Sequence, residues 1–173
     1  MSINGRADPS GAATDVVEAL LAASRVMVAL TARSIARLDA DVTLPQYRML
    51  VVLAARGAQR TSDLAAELGV KPSTVTRTCD RLARRGLAQR FQRAEDRRVA
   101  WIALTEAGKH LLGEVMRQRR ADVTRLAGQA RMPHSGAVAV ALGAFVDAAG
   151  ELPESEWWRR WEISAQVDGE SRL

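Results

Sequence analysis

The sequence predicts a mainly α-helical fold with one small β-hairpin, and three observations carry that expectation. Apolar residues recur at spacings of three and four through most of the chain. Between Leu87 and Leu104 the period drops to two, with the polar stretch "RAEDRR" in the middle. Pro45 and Pro72 stand where helices should begin, and Gly57, Gly69 and Gly86 where they should end.

Residues 1–13 contain Gly, Pro, Ser and Asn without periodicity and read as a flexible leader. From Thr14 the apolar-to-small positions Val17, Leu20, Leu21, Ser24, Met27, Val28, Thr31, Ile35 and Leu38 trace a helix of roughly seven turns, about 35 Å long. So long a stripe exceeds what a small subunit buries by itself, so residues 14–44 are expected to pair with a second chain. Pro45 opens a second helix lined by Tyr47, Leu50, Val51, Leu53 and Ala54, with Gly57 suited to its cap. Thr61 or Ser62 can cap a short third helix, with Asp63 at the positive end of its dipole and Leu64, Ala65 and Leu68 facing inward. Gly69 takes the turn, and the fourth helix runs from Pro72 to about Arg85.

Strands are expected at 87–92 and 99–104, with Ile102 and Leu104 on one face of the second and Trp101 on the other. Thr105 then caps a long helix whose apolar positions are Leu111, Leu112, Val115, Met116, Val123 and Leu126. The stretch "GQARMPHSG" breaks it. A last helix near 136–149 is small and apolar on nearly every side and should be buried. The tail beyond residue 150 stands apart by its tryptophans, Trp157, Trp158 and Trp161.

The 173 residues carry a net charge of +5. Residues 56–98 hold 11 basic and 5 acidic side chains, a net of +6, so the whole excess lies in one block. Such a footprint suits a polyanion. The single cysteine, Cys79, rules out an intramolecular disulfide and points to a reducing compartment. The apolar runs 49–55 and 137–146 are too short to span a bilayer, and no basic-then-apolar leader precedes them, so a cytoplasmic protein is expected.

The stretch "TSDLAAELGVKPSTVTRTCDRLARRGL" has the layout of a helix-turn-helix, with Ala65 small at the helix crossing, Gly69 in the turn, and Val75 and Leu82 seven apart on the inner side. Ser73, Thr74, Thr76, Arg77 and Arg81 are left facing outward, as donors for phosphate oxygens and base edges. The helix pair alone also suits an ordinary hairpin with a solvated basic face. The arginine-tipped β-hairpin that follows supplies a wing, because a narrow minor groove attracts arginine. The core is therefore a winged helix-turn-helix at 45–104, between an N-terminal dimerisation helix at 14–44 and C-terminal dimerisation helices at 105–150, with a Trp-rich tail at 151–173.

Residues 43–112 resemble the winged-helix regulators of the multiple antibiotic resistance (MarR) family. The likeness is carried by "LPQYRMLVVLA", by the helix-turn-helix stretch and above all by "DRRVAWIALTEAG", where Asp96, Arg98, Leu104 and Thr105 keep that family's wing spacing. The resemblance implies a homodimer with interlocked terminal helices that binds a palindromic operator in double-stranded DNA and represses transcription. It also implies release by a small, often phenolic or anionic, effector. On that pattern Ser73, Thr74, Thr76 and Arg77 approach bases, with Ser62 a further DNA contact on the third helix. Arg81, Arg90, Arg93 and Arg97 lie on phosphates, Asp96 orients the wing tip and Arg98 enters the minor groove. Effector candidates are Arg33 and Arg37 from the first helix, Tyr47 from the second and Trp101 on the wing.

Other residues carry less. Cys79 fits a buried side with Val75, Thr78 and Leu82, against the alternative of a redox sensor with a thiol activated by Arg81. A regulator without a ligand response is a further alternative. His110 and His134 have no partner at metal spacing, and no metal or cofactor is expected. A small enzyme lacks its parts: no metal cluster, phosphate loop, or paired nucleophile and base is recognisable. The tail tryptophans read as a cap over the dimer helices, a ligand lid or a docking patch.

Overall fold

The computed structural model describes residues 9–38, 41–93, 96–132 and 134–159, with side chains throughout except at 9–13, 93 and 96–98. Six helices and three strands follow in the order α1 (Pro9–Arg37), α2 (Leu44–Arg56), β1 (Gln59–Arg60), α3 (Thr61–Leu68), α4 (Pro72–Arg84), β2 (Ala88–Arg93), β3 (Asp96–Leu104), α5 (Glu106–Gln129) and α6 (Ser135–Ala148). A further helical segment spans 154–159. Helix α1 begins at Pro9, so it takes in the last five residues of the segment read as a leader; residues 1–8 lie outside the described set.

Local chemistry explains the boundaries. Thr43 caps α2 in a reciprocal box with Gln46, whose side chain accepts the Thr43 N–H at 2.8 Å. At α3 the expected hydroxyl cap is absent: Arg60 occupies the cap position without a side-chain bond, and Thr61 is the first helical residue. Gly69 ends α3 in the left-handed region at φ 63°, where its N–H and that of Val70 reach back to Ala65 and Ala66. Thr105 caps α5 by accepting the Gly108 N–H at 3.1 Å. Its hydroxyl also donates to the Gly86 carbonyl.

The sheet has three antiparallel strands in the order β1-β3-β2, one more than the expected hairpin. Gln59 pairs with Ile102 and Arg60 with Trp101, so the wing root is stitched to the residue before α3. Ile102 is fully buried and Trp101 faces the other way, as its alternation requires. One core joins α2, α3, α4, the sheet and the first half of α5. At its centre lie Leu50, Leu64, Val75, Cys79, Leu82, Ile102 and Leu112, none more than 1% exposed. Met49 and Val52 belong to the buried side of α2, whereas Val51 and Ala54 are only partly covered.

The flanking helices behave differently. The C-terminal part of α1 packs on α5, where Leu30, Ser34 and Ile35 are buried and the Ser34 hydroxyl donates to the Leu30 carbonyl at 2.9 Å. Toward its N-terminus the described side chains are largely uncovered: Val16, Val17 and Leu21, and Val28 further along, are each more than half exposed. Helix α6, expected to be buried, has no buried residue in the single chain, and Val140 stands 75% exposed. Among the described residues nothing covers its apolar surface.

An ion pair that periodicity does not reveal ties α1 to α5. The Asp122 carboxylate, 5% exposed, accepts from Arg37 at 3.0 Å and from Arg125 at 2.6 Å. Both guanidiniums keep about half their surface in water, which tempers the interaction. Asp122→Ala should cost about 1–2 kcal/mol of stability, read as a lower urea midpoint; an unchanged midpoint would show that the pair is incidental.

The tail returns to the core. Trp157 is 4% exposed within the cluster that holds Tyr47 and Met116, and Trp158 meets it edge-on at 5.4 Å. Of the sequence readings for the tryptophans, the seat of Trp157 is the winged core rather than the α6 surface. Trp161 lies outside the described residues.

Candidate nucleic-acid interface

Helix α4 divides cleanly into two sides. Val75, Cys79 and Leu82 face the core at 0% exposure, and Ser73, Arg77, Asp80, Arg81 and Arg84 are exposed on the other side. Thr74, Thr76 and Thr78 lie at the flanks, half-buried. Pro72 starts the helix at the position where its missing N–H costs nothing, and the Lys71 carbonyl accepts the Thr74 N–H at 2.9 Å. Burial on one side alone forces the hydroxyls and arginines outward. Ser62, on α3, is exposed, with its hydroxyl donating to Asp63 at 3.0 Å.

The arginines are not equivalent. Among the described residues, Arg77, Arg81 and Arg84 have no carboxylate at ion-pair distance; Arg84 donates only to the Asp80 carbonyl, at 3.3 Å. Arg85 is paired with Asp41, and Arg90 reaches Asp80 at 3.6 Å. Of the described arginines between residues 77 and 90, those without a carboxylate partner all lie on α4. Arg84, absent from the sequence-derived set, joins them because a basic last turn shows up as charge but carries no positional signature.

At the wing, the backbone sets Arg93 opposite Asp96 across the β2–β3 pair, with a register shift between Gln92 and Arg93. That irregularity twists the hairpin at its tip. The side chains of Arg93, Asp96, Arg97 and Arg98 lie outside the described set. At the other end of the sheet the Arg60 guanidinium stacks 5.2 Å over the Trp101 ring, with Phe91 opposite Trp101 on β2. Sequence reasoning missed Arg60 because a two-residue strand has no period to detect.

Each of the four effector candidates has its own surroundings. Arg33 is exposed, and its Nε donates to the Ala29 carbonyl at 3.4 Å. Arg37 is held by Asp122, and Trp101 lies beneath Arg60. Tyr47 is 5% exposed and donates its hydroxyl to the Met116 sulfur at 3.1 Å. Burial pushes the Tyr47 pKa upward, partly opposed by the nearby Arg119.

Cys79 departs from the sensor alternative. Its side chain is fully buried, and burial raises the thiol pKa, with Arg90 rather than Arg81 the arginine that opposes the shift. A thiol kept protonated is a poor nucleophile. Iodoacetamide should therefore leave the folded protein unmodified and label it fully in denaturant; rapid labelling of the native chain would reverse this conclusion. His110 and His134 are exposed, and among the described residues no group of His, Cys, Asp or Glu is placed to hold a metal ion. Among the same residues no helix is long and apolar enough to cross a membrane.

A sequence profile of the MarR family matches residues 42–100, from just before α2 into β3. The chain also superposes on RV1404 from Mycobacterium tuberculosis with a TM-score of 0.74 and 37% identity, over 86% of this chain and 99% of that one. The chain belongs to the MarR family. It is 39% identical over 72 residues to the HTH-type transcriptional regulator YhbI of Bacillus subtilis, covering 42% of this chain and 47% of YhbI. To the HTH-type transcriptional repressor MdtR of the same organism it is 37% identical over 84 residues, 49% of this chain and 54% of MdtR. The chain thus spans about half the length of the curated MarR relatives it matches.

Proposed function

We propose that the chain is a cytoplasmic, homodimeric MarR repressor that reads a palindromic operator in double-stranded DNA. The observation that carries the reading is α4: one side wholly buried, the other presenting Ser73, Arg77 and Arg81 with both guanidiniums free of carboxylate partners among the described residues. A helix of this kind fits the major groove, where arginine takes guanine in a bidentate pair. Arg81, Arg90, Arg93 and Arg97 then serve phosphates and Arg98 the minor groove, with Asp96 fixing the tip. Arg90 does so only by giving up Asp80.

The second copy is supported by apolar surface. The exposed Val16, Val17, Leu21 and Val28 of α1, with Val140, Leu142 and Phe145 of α6, are apolar surface that a second copy would cover. Two-fold symmetry then pairs two recognition helices, which is why the operator is read as a palindrome. Release by a small aromatic or anionic molecule extends the reading. The second reading is a repressor without that response, supported by the engagement of Arg37 with Asp122 and of Trp101 with Arg60.

The test is a gel shift on an operator selected from random duplex DNA. Arg98→Ala should lower affinity at least fivefold while leaving the dimer and its thermal midpoint unchanged, since one well-placed arginine contact contributes about 1–3 kcal/mol. Full affinity in that variant would take the wing out of the interface. Failure of the parent chain to select any sequence would end the operator reading.

A further inference from the structure

We propose that residues 150–159 are a clasp that fastens the far end of α6 to the winged body, so that the seating of Trp157 sets the distance between the two recognition helices of the dimer. The inference rests on the dimeric, DNA-binding reading above.

The path of the chain carries it. Helix α5 leaves the core, and α6 runs back without burying any of its fourteen residues on its own subunit. Were the chain to stop at Ala148, α6 would be joined to the winged body only through α5 and the short connection in which Arg131 and His134 adopt left-handed backbone. Instead Gly150 turns at φ 67°, and the chain lands on α2. There Glu151 pairs with Arg48 at 2.8 Å, Leu152 packs on the core and Trp157 is inserted among buried residues that include Tyr47 and Met116. Trp158 braces the insertion, its indole N–H donating to Glu154 at 3.1 Å. Glu154 is near enough to Tyr47 to raise its pKa, so the segment reaches the place where α2 meets α5 through the Tyr47–Met116 contact.

Helix α6 is therefore held at both ends. Swinging the winged body against the α6 arm requires a tryptophan to leave the core, and the docked clasp holds one angle. The seat is also separable. Both members of the Arg48–Glu151 pair are nearly half exposed, and a space of about 150 Å³ remains between α2 and residues 150–152. That is room for a few waters, so the seam is not closely packed.

The test uses the full chain, an operator it selects from random DNA, the same operator with its half-sites moved two base pairs apart, and a single half-site. The parent should prefer the native spacing strongly. Trp157→Ala should reduce that preference about tenfold and leave affinity for the single half-site within twofold. Should Trp157→Ala fail to fold, Glu151→Arg decides in its place: it should reduce the preference, and adding Arg48→Glu should restore it. Undiminished spacing preference in a folded variant overturns the clasp. So does an equal loss on the half-site, which would make Trp157 a mere core residue. A parent that selects no operator overturns the DNA-binding reading beneath it.

Discussion

Raising the salt from 50 to 200 mM should weaken operator binding by the dimer about a thousandfold, if about six phosphates are neutralised at a slope of about −0.9 each. The number follows from which arginines are available. Arg81 and Arg84 point outward on α4 without carboxylate partners among the described residues, Arg97 of the wing is a third arginine assigned to phosphate, and two-fold symmetry doubles the three. Arg77 and Arg81 can be told apart in the same experiment. Arg81→Ala removes one phosphate contact per subunit, so the log–log slope should flatten by about 1.8 over the dimer, on every sequence alike. Arg77→Ala should instead cost about 1–3 kcal/mol on the selected operator and little on unrelated DNA. Fluorescence anisotropy across a salt series measures both. A slope near zero for the parent would mean that the cationic side of α4 does not meet phosphate.

Gly108→Ala should destabilise the fold by about 1–3 kcal/mol, while Gly128→Ala in the same helix should be neutral or stabilising by up to about 1 kcal/mol. The contrast is geometric. A Cβ at position 108 would stand 2.0 Å from the Leu87 carbonyl oxygen and 2.9 Å from its carbon; one at 128 would meet nothing within 4 Å. The Leu87 oxygen cannot retreat freely, because it also accepts the Thr105 N–H at 3.2 Å. The start of α5 would have to tilt away from the sheet, taking the Thr105 cap with it. Urea unfolding of the two variants gives the comparison directly, and equal midpoints would show that the contact yields without cost.

Legibility in the sequence followed the physics of each element. Helix α4 was readable because burial on one side leaves a strong 3.6-residue period, and Val75, Cys79 and Leu82 follow it. The wing strands were readable because Ile102 and Trp101 alternate. Strand β1 was not, since two residues show no pattern and their pairing is decided by β3. Asp122 was passed over because a carboxylate on a helix is ordinarily solvated; its burial is offset by Arg37 arriving from α1 together with Arg125 of its own helix. The composition of the tail signalled that tryptophans needed cover but not whose core would cover Trp157. For α6 the expectation of burial is not met among the described residues, because its apolar composition carries no record of which surface it is to lie against.

The bare apolar length of α1 and α6 has a consequence for abundance in the cell. If a second copy must cover that surface, folding and association are one equilibrium, and the chain obeys mass action. At low expression the active population then grows with the square of synthesis rather than in proportion to it. Halving the gene dose would remove more than half of the functional regulator, a threshold in control that no residue of the DNA-reading helix encodes.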